Sequence, residues 1–287
     1  MKLSVLIFAV FLLGCHKQEK RPAINASVFN GYRRPKSNED GLKRRRSDSI
    51  QNNDSLNLIK MLHDALIYAN EHHRQRSFNR NLTLWLFPYD AEATLTFGRL
   101  FSPRKKHLII KRLLRQNVVA VDVFVLDSGV FKPVLKQEVQ EHAFVSSLTK
   151  DINGDSQKDF LIEWYPTAGC CARDVFDVYL YNEKSGRFSS RYEFINPTFS
   201  PAEKLIRGVG YGHPRDVEMY KYKWNGTKLD TVEFIFPDST FTKFHIYKHE
   251  YDQDNPKAGR VLAYAPKEYR KIAGYQWFSA AQQPYLK

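Results

Sequence analysis

The segment Tyr220-Lys221-Tyr222-Lys223-Trp224 alternates aromatic and charged side chains, stops at Asn225-Gly226, and resumes with Val232, Phe234 and Phe236. A period of two puts one kind of side chain on each face of a strand, and Asn-Gly supplies the two positive-φ positions of a tight hairpin turn. A helix would scatter these aromatic residues around its circumference, so the segment folds as an antiparallel hairpin. The pattern recurs. Val119, Val121, Val123 and Val125 alternate before Asp127-Ser128-Gly129 turns the chain into Phe131–Leu135. Phe176, Val178 and Leu180 lead through Glu183-Lys184-Ser185-Gly186 into Phe188–Phe194, and 82–87, 93–97 and 106–110 read as further strands. The turn glycines Gly129, Gly186 and Gly226 are spaced loosely, as in propeller blades. The expected fold is mainly β, an antiparallel β-propeller-like or meander domain over residues 78–287.

One amphipathic helix is expected ahead of this domain, over 54–77. Asp54 or Ser55 can cap it, and Leu58, Leu62, Ala65 and Ala69, with Ile59 and Leu66 one turn offset, form its apolar stripe. The stripe runs out at His72-His73. No third ligand stands at helical spacing from these histidines, so they are expected to face water or complement the carbonyl end of the helix. Residues 15–53 have Pro22, Pro35, few apolar side chains and no period, the composition of a flexible linker. The net charge of +13 concentrates there: residues 16–53 hold ten Lys/Arg against four Asp/Glu, and 54–287 hold 33 against 27. A solvated tether and a contact with anionic lipid headgroups both fit such a tail.

The start of the chain sets its address. Lys2 is followed by an unbroken apolar run from Leu3 to Leu13 and then Gly14-Cys15. A positive head, a short apolar stretch and a small residue before a cut describe a signal peptide over 1–14. As a helix the run spans about 16 Å, too short to cross a bilayer. An ordinary cleaved signal followed by a chance cysteine is the alternative to a lipid-bearing one. Export also removes nucleic acid from the expected partners, despite Arg44-Arg45-Arg46. Two further cysteines, the adjacent Cys170 and Cys171, make no disulfide framework, so a packed core must supply stability. A strained vicinal disulfide and two buried thiols are both open to that pair.

The sharpest internal motif is Asp151-Ile152-Asn153-Gly154-Asp155-Ser156-Gln157-Lys158-Asp159, followed by the apolar Phe160-Leu161-Ile162. Calcium takes six to eight oxygen ligands, and side chains at alternate loop positions turn inward when the backbone wraps an ion. Asp151, Asn153, Asp155 and Asp159, with the Gln157 carbonyl, can supply such a shell for a structural Ca2+. The same side chains can instead bond nearby amides in an Asx-turn network without metal. No bidentate glutamate stands at the twelfth position, which is Ile162, so the loop is not an EF-hand.

Leu12-Leu13-Gly14-Cys15 resembles the lipobox of bacterial lipoproteins, which implies cleavage before Cys15 and a diacylglycerol on its thiol. Residues 151–159 resemble the calcium loop of FG-GAP and VCBS-type β-propeller blades, departing from it at Ser156, where that family commonly has glycine. With 176–194 and 220–229, the region is similar to uncharacterised bacterial lipoproteins and, distantly, to periplasmic propeller-like inhibitors of c-type lysozyme. The resemblance implies a lipid-anchored protein of the Gram-negative cell envelope, with the outer membrane as its expected seat. It implies a non-enzymatic binding or structural role toward an envelope protein or glycan, with lysozyme inhibition and hydrolysis of envelope polymers as alternatives. Gly208-Val209-Gly210-Tyr211-Gly212 precedes His213-Pro214 and no helix, so it is no dinucleotide loop. Glu163, Asp174, Asp177 and His213 are carboxylates and an imidazole that convergence could make catalytic. Tyr179, Tyr181, Tyr220, Tyr222 and Trp224 form an aromatic set suited to contacting a protein or glycan, although half of such a stripe is more often core.

Overall fold

A computed structural model describes residues 38–85, 90–114, 118–167, 174–212, 217–238, 242–250 and 259–280. Cys15, Cys170, Cys171 and His213 lie outside them. Contacts divide the chain into two units, 1–47 and 48–287. The first is described only as the opening turns of a helix. Among the described residues no helix is long and apolar enough to cross a membrane.

Helix α1 spans Asn38–His72, so it begins sixteen residues before the expected start and takes in part of the expected linker. Pro22 and Pro35 stand clear of this stretch, and neither interrupts it. The helix ends where expected in kind. His72 and His73 donate from Nδ1 to the carbonyls of Tyr68 and Asn70 at 2.7 and 2.5 Å, and His72 stacks on Tyr68 at 4.0 Å. The His73 bond satisfies a carbonyl of the last turn, one of those that a helix end leaves without an amide.

The rest is antiparallel. β1 (Phe78–Trp85), β2 (Asp90–Gly98), β3 (His107–Leu114), β4 (Val118–Asp127) and β5 (Val130–Gln140) form a five-stranded meander. β6 (Phe144–Lys150), β7 (Asp159–Trp164), β8 (Val175–Tyr179) and β11 (Tyr192–Ile195) form the second sheet. A small hairpin, β9 (Tyr181–Asn182) and β10 (Arg187–Phe188), is inserted before its last strand. β12 (Pro197–Ser200), β13 (Leu205–Val209), β14 (Met219–Asn225), β15 (Lys228–Pro237), β16 (Phe244–Tyr247) and β17 (Arg260–Leu262) make a six-stranded sheet, and α2 (Tyr275–Ala280) follows. The domain is therefore mainly β, with neighbouring strands in sequence pairing almost throughout.

Strand alternation places the cores in series. Ala91, Ala93, Leu95 and Phe97 of β2 and Leu108 and Ile110 of β3 pack against Met61, Ala65 and Ala69 of α1. The alternate residues of β4, Val119, Val121 and Val123, meet Phe160, Ile162 and Tyr179 of the second sheet. The opposite face of β7 and β8, Leu161 and Val178, meets Ile206, Tyr220, Trp224 and Phe234 of the third. A fourth cluster joins Met219 and Ile235 to Tyr269 and Phe278 of the C-terminal segment. Each sheet of this stack thus has apolar side chains on both faces, and burying each large one contributes about 1.5–3 kcal/mol.

Two expectations are corrected here. Ile59 is 63% exposed: at about 100° per residue it lies roughly 200° from Met61, on the side of α1 turned from the sheet. The aromatic set is core rather than contact surface. Tyr179, Tyr181, Tyr220 and Trp224 are all buried, and half-buried Tyr222 packs against the same cluster. The second sheet covers the aromatic face of the 220–224 alternation, while Lys223 on the other face stays exposed.

Candidate functional site

The acidic loop connects β6 to β7 at a point where turns from other sheets meet it. Gly154 (φ +74°) and Ser156 (φ +68°) both take left-handed backbone conformations, which curl the chain back on itself. At Gly154 the requirement is absolute. A Cβ there would lie 2.2 Å from the Pro201 carbonyl oxygen, in the turn between β12 and β13. Ser156 carries the strain without that excuse, as a non-glycine residue in a conformation that costs about 1 kcal/mol.

Inside the curl every carboxylate accepts hydrogen bonds. Asp151 takes the amides of Gly154 at 2.8 Å and Ser156 at 2.9 Å. The Asn153 side-chain oxygen takes the Asp155 amide, Asp155 takes the Gln157 amide, and the Asn153 amide donates to the second Asp155 oxygen at 3.2 Å. Asp159 is wholly buried and accepts from Ile152 N and Tyr181 N, both at 2.9 Å. Its first bond closes the loop, and its second ties the loop to the start of β9. The Gln157 side-chain oxygen accepts from Glu183 N, and Glu183 in turn accepts from the Ser102 hydroxyl between β2 and β3. The loop is thus bonded to the inserted hairpin, and through Glu183 that hairpin is bonded to the first sheet.

No lysine or arginine among the described residues forms an ion pair with Asp151, Asp155 or Asp159. Burial pushes the Asp159 carboxyl up to about 7, against the stabilising effect of its two amides, and the charges of Asp155 and Asp151 push the same way. An all-oxygen donor set with excess negative charge is what calcium binds. In the conformation found, however, the side chains turn onto amides, and among the described residues no three Asp, Glu, His or Cys side chains converge on one point. The Asx-turn network is therefore present. Carboxylate and carbonyl oxygens carry two lone pairs, so amide bonds leave acceptor capacity for a cation.

The catalytic quartet does not assemble from its described members. Glu163 pairs across the sheet with Phe176, and Asp177 with Ile162, so the two carboxylates leave opposite faces. Glu163 accepts from the Ser146 hydroxyl, whereas Asp177 lies buried beside Arg191 at 3.4 Å, where burial raises its pKa.

Two buried polar sites escaped the sequence reading. Arg112 on β3 donates to Asp122 on β4 through both Nε and Nη2, at 3.1 and 2.5 Å, and to the Leu58 carbonyl of α1. Both side chains are nearly fully buried. Each stands at an inward position of its strand, in line with Leu108 and Ile110 or with Ala120 and Phe124, and this register was the available signal. The other site is His107, fully buried, with Nε2 3.2 Å from the Tyr181 hydroxyl and its ring edge-on to Phe101 and Tyr181.

No family model matches this chain, and no curated protein does. A solved structure described as that of a Xanthomonas Type IV Secretion System related protein aligns with 64% of this chain and 92% of its own, at 10% identity and a TM-score of 0.34. A similarity of that size carries no argument about fold or function.

Proposed function

We propose that this chain is a lipoprotein of the Gram-negative envelope, held at the outer membrane through a diacylated Cys15. Its β body acts as a non-enzymatic binding or structural module stiffened by calcium at residues 151–159. The observation that carries this reading is the apolar run Leu3–Leu13 ending abruptly at Gly14-Cys15. Each lipid methylene buried in the membrane contributes roughly 0.8 kcal/mol, so the two chains of a diacylglycerol make a lasting anchor. Asp151, Asn153, Asp155, Asp159 and the Gln157 carbonyl are the groups that would hold calcium. Bound there, the ion supplies the directly paired positive charge that these carboxylates do not receive from a lysine or arginine among the described residues. Because the aromatic strands are core, recognition of an envelope protein or glycan falls to side chains outside them, such as Tyr264, 76% exposed.

Metabolic labelling with a radioactive fatty acid tests the anchor. The unaltered chain takes up label and fractionates with membranes, and Cys15→Ser takes up none. Label retained by the variant contradicts the reading.

A further inference from the structure

Sheet edges expose unpaired backbone N–H and C=O groups, and natural edges carry charge, proline or brevity that discourages a second chain. The three large sheets end in β1 and β5, β6 and β11, and β12 and β17. β5 carries Pro133, Lys132, Lys136 and Glu138. β11 and β12 have four residues each, the first containing Glu193 and the second opening on Pro197, and β17 has three. β1 interleaves Asn79, Arg80 and Asn81 among its apolar residues. β6 differs. Its seven residues, Phe144 to Lys150, contain no proline and no charge before the last position. A bulge near Val145 interrupts its pairing with β7, but Ser146 to Lys150 continue in unbroken register against Glu163 to Asp159.

Among the described residues β7 is the only strand paired with β6. Val145 is 51% exposed, Leu148 47%, and Tyr165, whose amide bonds the Ala143 carbonyl beside β6, 40%. Leu148 pairs with Leu161 and so shares its face, yet Leu161 is covered by the third sheet and Leu148 is not. The uncovered strip combines free backbone groups with apolar side chains, which is the chemistry that an added strand completes.

The geometry points to β6 as a self-association edge: two copies of this chain join their β6 strands antiparallel about a two-fold axis through Ser147. One eight-stranded sheet results from two four-stranded ones. The strand's own sequence argues for a second copy. Centred on Ser147, the pairing sets Leu148 of each copy opposite Ser146 of the other, on one face, large against small. Phe144 and Val145 lie at the bulge, outside the regular stretch, so Ser146 to Leu148 set the pairing. Lys150, the single charge, falls toward the far end of the partner strand, whereas parallel pairing would set it beside its own counterpart. An isologous contact of this kind is self-complementary and closes at two copies. It needs neither lipid nor calcium, so its test is separate from theirs.

The test is a cysteine at the two-fold axis. Residues directly opposite in an antiparallel pair have Cα atoms about 4.5–5.5 Å apart, within disulfide reach. Full-length chain carrying Ser147→Cys, oxidised in whole-cell extract with copper phenanthroline, should run on a non-reducing gel at twice the chain mass, and reductant should remove that band. The unaltered chain controls for the three native cysteines. Val130→Cys, exposed in the β4–β5 hairpin, reports random collision and should cross-link at least fivefold less. Adding Leu148→Lys to Ser147→Cys should abolish the band, and the exposure of Leu148 lets the fold tolerate that change, checked by protease resistance. Absence of the band, an equal band from Val130→Cys, persistence with Leu148→Lys, or linkage only to a different protein overturns the proposal.

Discussion

Replacing His107 with phenylalanine should remove a specific part of the acid sensitivity of this protein. His107 is wholly buried, edge-on to Phe101 and Tyr181 at 5.2 Å each, and Phe188 completes the box at 5.0 Å from Phe101. Its pKa is lowered from 6.5 to about 4, chiefly by burial and then by the Lys105 charge, against a smaller opposing effect of the Lys105 backbone. The imidazole is therefore neutral in the fold and takes a proton first in the unfolded chain. Its contribution is fully present above pH 6.5 and is lost as pH falls toward 4. Lowering from 6.5 to about 4 corresponds to about 3 kcal/mol between those limits. Asp159 runs the other way: with its carboxyl pushed up to about 7, it stabilises the fold below pH 4 and loses that contribution as pH rises to 7. Comparing variant with parent cancels the Asp159 effect. In chelator, His107→Phe should melt below the parent at pH 8, since the contact to the Tyr181 hydroxyl is gone. By pH 4 it should have gained on the parent by about 6–12 °C, from about 2–4 °C per kcal/mol for a body of this size. Thermal melts followed by circular dichroism from pH 8 to 4 decide it. Curves that stay parallel would refute a neutral, buried His107.

Arg112→Ala should cost about 3–5 kcal/mol in urea unfolding, because Asp122 is left buried without its partner. Arg112→Met with Asp122→Leu should recover most of that loss, since neither residue then carries a charge. Gly154→Ala should cost at least about 2 kcal/mol, from left-handed backbone strain and collision with the Pro201 carbonyl. Ser156→Gly should stabilise by up to about 1 kcal/mol by removing the strain at φ +68°. The two changes test the loop's curl in opposite directions in the same unfolding assay.

The hairpins were legible because their turns are chemically explicit. Ser128 and Gly129 take φ of +51° and +81° between β4 and β5, and Gly226 takes +63° between β14 and β15. The start of α1 was not, since residues 38–53 lack the apolar period on which the reading relied. Ala65 and Ala69 were placed in the core correctly. Ile59 was not, because a stripe drawn one turn wide admits residues on both sides of a helix. Which face of each strand meets another sheet depends on stacking between residues distant in sequence, so the alternation alone leaves Tyr220 and Trp224 open to either contact surface or core. The acidic loop was found from spacing alone, with every named side chain brought into one curl. Its bonds to Tyr181 and Glu183 and its close approach to the Pro201 turn could not be read, because they join segments 22 or more residues apart.

The central claim is that the carboxylates of 151–159 make a calcium site that stiffens the body, and melting temperature with and without calcium tests it most directly. Calcium that binds only the folded state stabilises by about 2.7 kcal/mol at a hundredfold excess over Kd, which is about 5–11 °C here. The account predicts a rise of that order when millimolar calcium replaces chelator. Magnesium should give a smaller rise, as it demands a tighter octahedral shell. Asp155→Ala should give none while keeping the β-rich spectrum. An unaltered chain whose melting temperature ignores calcium, and which carries no metal by elemental analysis, would contradict the claim and leave the loop an Asx-turn network alone.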